Sequence, residues 1–139
     1  LELVGEWGAV RWYNDSKATN PDAGLVGLRA FEGRPVVLIA GGYGGGFDLA
    51  EWLAAVRERT RAVVLLGASA GELAERLAGH PQRRAGTLEE AVELAGGLAC
   101  PGDTVVLSPA YKSYDMFSSY EERGRRFKAA ALALHGGTP

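Results

Sequence analysis

Val36-Val37-Leu38-Ile39-Ala40-Gly41-Gly42 is an unbroken apolar run closed by glycines. A strand that is apolar at every position must be covered on both faces, as in the middle of a parallel sheet. The pattern recurs in Ala62-Val63-Val64-Leu65-Leu66-Gly67 and again in Thr104-Val105-Val106-Leu107. A shorter strand is predicted around Arg83-Arg84-Ala85. Residues 2–7 and 9–13 are two short alternating runs flanking Gly8, which predicts an antiparallel pair at the sheet edge.

Helical signals fill the gaps between these strands. Asp48, Ser69 and Thr87 each precede a glutamate by three residues (Glu51, Glu72 and Glu90), the spacing of a capping box at a helix start. Leu49, Trp52, Leu53 and Val56 recur at helical spacing, as do Leu88, Ala91, Val92 and Ala95. Phe117, Tyr120, Phe127 and Leu134 mark an apolar stripe on a last helix with a charged opposite face. Strands alternating with helices imply βαβ units. The expected fold is α/β: a Rossmann-like three-layer domain whose mostly parallel sheet has about six strands and an antiparallel edge strand.

The chain has 139 residues, of which 47% are hydrophobic, enough for one domain and short for two. Its net charge is −2 and its basic residues are scattered, so it carries no nucleic-acid footprint. Arg123, Arg125 and Arg126 cluster, but Glu121 and Glu122 precede Arg125 and Arg126 by four residues, which reads as a solvated, ion-paired helix face. No apolar run approaches the ~20 residues of a membrane span. Cys100, alone and without a nearby histidine, reads as structural and suits a reducing compartment. His80 and His135 are too isolated for a metal site. The chain starts at Leu1 in what reads as mid-strand, so it is expected to be a piece of a longer protein. It contains no G-x-x-x-x-G-K-[ST] loop for a nucleoside triphosphate.

Chemistry concentrates in Asn14-Asp15-Ser16-Lys17-Ala18-Thr19-Asn20-Pro21, between a predicted strand and a predicted helix. A carboxylate, an ammonium, two hydroxyls and two amides meet there beside the N–H groups of a helix start, which favour anions. Thr19 or Asn20 can cap that helix, with Pro21 in its first turn. Ligands in open parallel sheets gather beyond the carboxyl ends of the strands. The loops at residues 14–20, 41–47 and 108–117 are therefore expected to converge. The glycines of the second loop do not match G-x-G-x-x-G, and a tight turn is the better reading than a dinucleotide site.

The string NDSKATNP, followed in order by Leu38-Ile39-Ala40-Gly41-Gly42-Tyr43-Gly44, Pro101–Ala110, Ser113-Tyr114-Asp115-Met116-Phe117 and Glu122-Arg123-Gly124-Arg125-Arg126-Phe127, resembles the C-terminal domain of the Mur ligase family, in its D-glutamate-adding members. The resemblance spans nearly the whole chain. It implies that residues 1–139 form one amino-acid-binding domain of a larger cytoplasmic, monomeric ligase, with UDP-binding and ATPase domains outside this sequence. It further implies ATP- and Mg2+-dependent phosphorylation of the carboxylate of UDP-N-acetylmuramoyl-L-alanine. The amine of D-glutamate then attacks the acyl phosphate to give an amide. Alone, the domain is expected to be inactive.

Residue by residue, the resemblance places Asn14 and Asp15 at the nucleotide and Lys17 near the transferred phosphate. It places Thr19 on the D-glutamate side chain, Ser113 and the Tyr114 backbone on a glutamate carboxylate, and Tyr120 at the pocket's aromatic position. A lysine common in the family is replaced by Gly45, and Lys112, beside Ser113, is expected to compensate. The Asn-Pro-Arg signature expected of a diamino-acid-adding relative is absent. A folylpolyglutamate synthase-like ligase and a non-catalytic Rossmann-like binding module are the alternatives.

Overall fold

The computed structural model describes residues 1–136. Its six-stranded sheet has the order β1-β2-β6-β3-β4-β5. The strands are β1 (Glu2–Trp7), β2 (Val10–Asn14), β3 (Val36–Ala40), β4 (Thr60–Leu65), β5 (Gln82–Arg84) and β6 (Thr104–Leu107). β1 and β2 pair antiparallel and the other neighbours run parallel, in agreement with the expected fold. Gly8 and Ala9, at φ 59° and 61°, form the tight turn between β1 and β2.

The helices are α1 (Pro21–Arg29), α2 (Ala50–Arg59), α3 (Ala70–Arg76), α4 (Leu88–Leu98) and α5 (Tyr120–Leu134). Alternate residues of β3 feed two separate cores. Val36, Leu38 and Ala40 pack with Leu28 of α1, Trp52 and Val56 of α2 and Leu73 of α3. Val37 and Ile39 pack with Leu88 and Val92 of α4 and Phe127 of α5. Every residue of β3 is fully buried, which is why its sequence shows no alternation. The chain steps outward from β3 to β5, and α4 carries it back across the opposite face to insert β6 between β2 and β3.

Several local expectations are corrected. Only Thr87 caps as the spacing suggested, accepting from Glu90 N–H at 3.1 Å, while Glu90 accepts from Gly86 N–H at 2.8 Å. Asp48 lies one residue before the cap and accepts from Ala50 N–H. Ser69 holds the cap position, but its hydroxyl accepts from the buried Gly42 N–H at 3.0 Å instead. A tertiary donor has outcompeted the local one. The arrangement of Thr87 and Glu90 recurs at α5, where Ser119 accepts from Glu122 N–H and Glu122 accepts from Ser118 N–H.

Phe117 therefore precedes the last helix rather than joining its stripe, and Tyr120 and Leu134 are exposed. The arginine cluster is not one solvated face. Glu122 is spent on the cap, Arg126 reaches Glu89 of α4 at 2.9 Å, and Arg123 is buried. His80 Nε2 lies 2.7 Å from Thr60 Oγ1, and Trp7 stacks on His135. Both histidines are packing residues. No helix among the described residues is long and apolar enough to cross a membrane.

Candidate functional site

Because β2, β6 and β3 are neighbours in the sheet, their carboxyl-terminal loops are neighbours too. Backbone hydrogen bonds stitch the three together. Asp15 N–H donates to Leu107 O at 2.7 Å, Ala110 N–H to Ala18 O at 2.9 Å, and Gly41 N–H to Pro109 O at 3.0 Å. Tyr43 and Lys112 exchange N–H to O bonds of 2.8 and 3.1 Å, pairing the glycine loop with the loop after β6. Ala110 sits at φ 61°, a conformation costing an L-residue about 1–2 kcal/mol.

Two clefts open on this assembly. Thr19, Lys112, Ser113, Tyr114 and Tyr120 line the first, of about 360 Å³, with Ser118, Ser119 and Glu121. Five candidate residues from two loops and a helix start thus share one wall system. Asn14, Asp15 and Lys17 line the second, of about 370 Å³, with Arg125 and Lys128. Tyr120 and Glu121 belong to both clefts and form the partition between them. The structure therefore separates Lys17 from Thr19 by this wall, although two residues apart in sequence.

Asn20, not Thr19, caps α1, accepting from Ala23 N–H at 2.9 Å. Thr19 is thereby left to the cleft. Lys17 is exposed and makes no ion pair among the described residues. Asn14 is structurally committed: its amide donates to Glu2 at 3.0 Å and its oxygen accepts from Ser16 N–H at 3.1 Å. Ser113 is buried, and its carbonyl accepts from Met116 and Phe117 N–H, closing the turn toward α5. Gly45 is exposed with open space around a would-be Cβ, and no cation lies on the described loop between Gly41 and Trp52.

Asp15 is held by a hydroxyl donated from Ser108 at 2.9 Å, and its Oδ2 lies where a Cβ on Gly27 would stand. Burial pushes its carboxyl up, partly opposed by the Ser108 hydrogen bond. A raised folded-state value means that stability falls as pH rises from the unfolded value of about 3.9 through the folded one. At neutral pH the ionised group opposes folding. Asp15→Asn is accordingly expected to raise the unfolding temperature at pH 7, with the gain shrinking toward pH 3.5. Thermal unfolding at the two pH values checks this.

The sequence reading missed Ser16, Ser108 and Arg123. Arg123 is 3% exposed and donates to Ser16 Oγ at 2.9 Å, Ser16 O at 2.8 Å and Tyr111 O at 3.1 Å. The charge-rich Glu-Glu-Arg-Gly-Arg-Arg context concealed it. Gly124, which admits Asn14 where a Cβ would be 2.9 Å from its amide, was the available signal that this helix face packs tightly.

Fold and site together define an α/β domain that gathers polar loops beyond adjacent parallel strands. The chain belongs to the Mur ligase family: the profile described as "Mur ligase, glutamate ligase domain" matches residues 1–111. Curated proteins named UDP-N-acetylmuramoylalanine--D-glutamate ligase are similar, at 47% identity over 99% of this chain in Pelotomaculum thermopropionicum. The corresponding protein of Pelobacter propionicus is 48% identical over 96% of it. The chain spans about 30% of the length of these relatives.

Solved structures share the fold. A domain of a Haemophilus ducreyi UDP-N-acetylmuramate:L-alanyl-γ-D-glutamyl-meso-diaminopimelate ligase homologue superposes with a TM-score of 0.65 at 16% identity, covering 94% of this chain and 98% of that one. The folylpolyglutamate synthase of Mycobacterium tuberculosis gives 0.63 at 22% identity, covering 100% of this chain and 32% of that one.

Proposed function

We propose that this chain is the amino-acid-binding domain of an ATP-dependent ligase that adds D-glutamate to UDP-N-acetylmuramoyl-L-alanine in peptidoglycan synthesis. The observation that carries the reading is the convergence of Thr19, Lys112, Ser113, Tyr114 and Tyr120 on one cleft, in a chain 47% identical to ligases of that name. D-glutamate has two carboxylates and an amine. Lys112 and the Ser113–Tyr114 turn suit one carboxylate and Thr19 the other, through charge-assisted hydrogen bonds that leave the amine aimed outward.

ATP, when bound, supplies the phosphoryl group that activates the carboxylate of the nucleotide sugar. The residues here fit a supporting part in that step. Lys17 offers phosphate oxygens an ammonium that has no ion-pair partner among the described residues, and Asp15 offers a fixed carboxylate to a ribose hydroxyl. In this reading Mg2+ is held mainly by the ATPase domain that lies outside this sequence. When the amine attacks, the new C–N bond forms, the C–O bond to phosphate breaks, its electron pair leaves with phosphate, and the proton lost from the amine is taken up by the released phosphate. Lys17 stabilises that departing charge, while the first cleft fixes the attacking amine. The same reading makes the enzyme cytoplasmic and monomeric, and the isolated domain inactive.

The test is phosphate release by the full-length protein with ATP, Mg2+ and UDP-N-acetylmuramoyl-L-alanine, comparing D-glutamate, L-glutamate, glycine and a diamino acid. Stimulation by D-glutamate alone supports the reading; stimulation by another acceptor replaces the substrate, and none at all overturns the ligase. Lys112 lines the same cleft. Its backbone pairs with Tyr43, two residues from Gly45, so its ammonium reaches the cleft from beside the loop that lacks the family lysine. Lys112→Ala is expected to raise KM for D-glutamate about 10- to 100-fold, the worth of one charge-assisted hydrogen bond, with kcat little changed. Steady-state kinetics with varied D-glutamate checks it.

A further inference from the structure

Arg123 is the one buried cation among the described residues, and nothing in the proposed reaction uses it. Its guanidinium reaches two loops at once: Nε and Nη2 hold the hydroxyl and carbonyl of Ser16, and Nη1 holds the carbonyl of Tyr111. Ser16 Oγ passes the bond on, donating to Tyr120 O at 2.7 Å on the partition between the clefts. A Cβ at Gly42 would stand 3.4 Å from Nη1, so the third loop rests against the same group. Ser16 is flanked by Asp15 and Lys17, and Tyr111 by Lys112.

No carboxylate pairs with Arg123 among the described residues, and Asp115 accepts instead from Ala68 N–H at 2.8 Å. Burial lowers its pKa to about 10, a sign that the protein holds this charge at a cost. A planar fork with fixed donor directions spans two carbonyls at a set distance, which a flexible ammonium cannot do.

We propose that Arg123 is a positioning residue that fixes the spacing between the Lys17 loop and the Lys112–Tyr114 loop, and so between the phosphate side and the amino-acid side of the reaction. The inference rests on the ligase reading. A loop displaced by about 1 Å costs on the order of 100-fold in rate when two groups must meet.

The test uses the full-length ligase with Arg123→Lys and Ser16→Ala, singly and together. Arg123→Lys is expected to lower kcat/KM for D-glutamate about 30- to 100-fold, with KM for ATP changed less than about twofold. Ser16→Ala, which keeps the carbonyl contact, is expected to raise KM for D-glutamate about 3- to 10-fold. It should add little in the Arg123→Lys background, because both changes break one network. A merely structural Arg123 would lower kcat in step with the folded fraction and leave KM for D-glutamate alone, which overturns the proposal. Should Arg123→Lys not fold, an unchanged KM in Ser16→Ala overturns it equally. A wild-type enzyme with no D-glutamate-dependent phosphate release sinks the ligase reading and this inference with it. An active wild type with normal variants sinks the inference alone.

Discussion

Lys17→Ala is expected to lower kcat of the full-length ligase about 100- to 1000-fold while leaving stability unchanged within about 0.5 kcal/mol. The two halves of this result come from the same observation. The ammonium is exposed and without an ion-pair partner among the described residues, so removing it deletes no contact that the fold needs. It nevertheless sits on the cleft with Asp15, held by a loop whose backbone is pinned at Asp15 N–H and Ala18 O. In the proposed reaction this cation faces the charge that develops on a departing phosphate and stabilises the transition state more than the ground state, so kcat should bear the loss. Steady-state phosphate release and thermal unfolding of one preparation check both halves. A fall in kcat below threefold in folded protein would make Lys17 a surface residue.

The second large effect is on folding. Gly41→Ala is expected to destabilise the protein by about 3 kcal/mol or more. Gly41 has φ 113°, a conformation closed to residues with a Cβ, and a Cβ there would stand 2.1 Å from Leu66 O. Relief by a side-chain movement is impossible, because the obstacle is the backbone after β4. Shifting it would strain the Leu66 N–H to Ala40 O bond of 3.1 Å that ties β3 to β4 at their ends. Gly45→Ala in the same loop is the control. It has open space and no such φ, and is expected to change stability by less than about 0.5 kcal/mol. Urea unfolding of the two variants separates them. Equal stabilities would mean that the loop yields where it is described as tight.

Much of the fold was legible because its signals are local and repeated. The apolar runs at β3, β4 and β6 announced strands with two covered faces, and their alternation with helical periods announced a mostly parallel sheet. Legibility failed where a side chain has a choice of partners. Ser69 and Thr87 stand in the same capping pattern, yet Ser69 bonds Gly42 across the structure and Thr87 bonds its own helix. Glu122 and Arg126 stand at ion-pair spacing, yet one caps α5 and the other crosses to Glu89. No period distinguishes these outcomes, since the competing partners lie far away in sequence.

The sequence by itself determined the strands, the family and the identity of the residues available for chemistry, because these depend on composition and on order along the chain. Only the tertiary structure decided how those residues are grouped. It placed Thr19 with Lys112 and Ser113 in one cleft, set Lys17 and Asp15 in the next, and raised Tyr120 as the wall between them. It also turned Arg123 from an apparent surface charge into the buried tie between the loops. The reason is that inserting β6 between β2 and β3 makes neighbours of loops some ninety residues apart, about Asp15 and Ser108, whose hydrogen bond spans 93 positions. That insertion follows from which strand edges remain free to pair, a property of the assembled sheet and of no single segment.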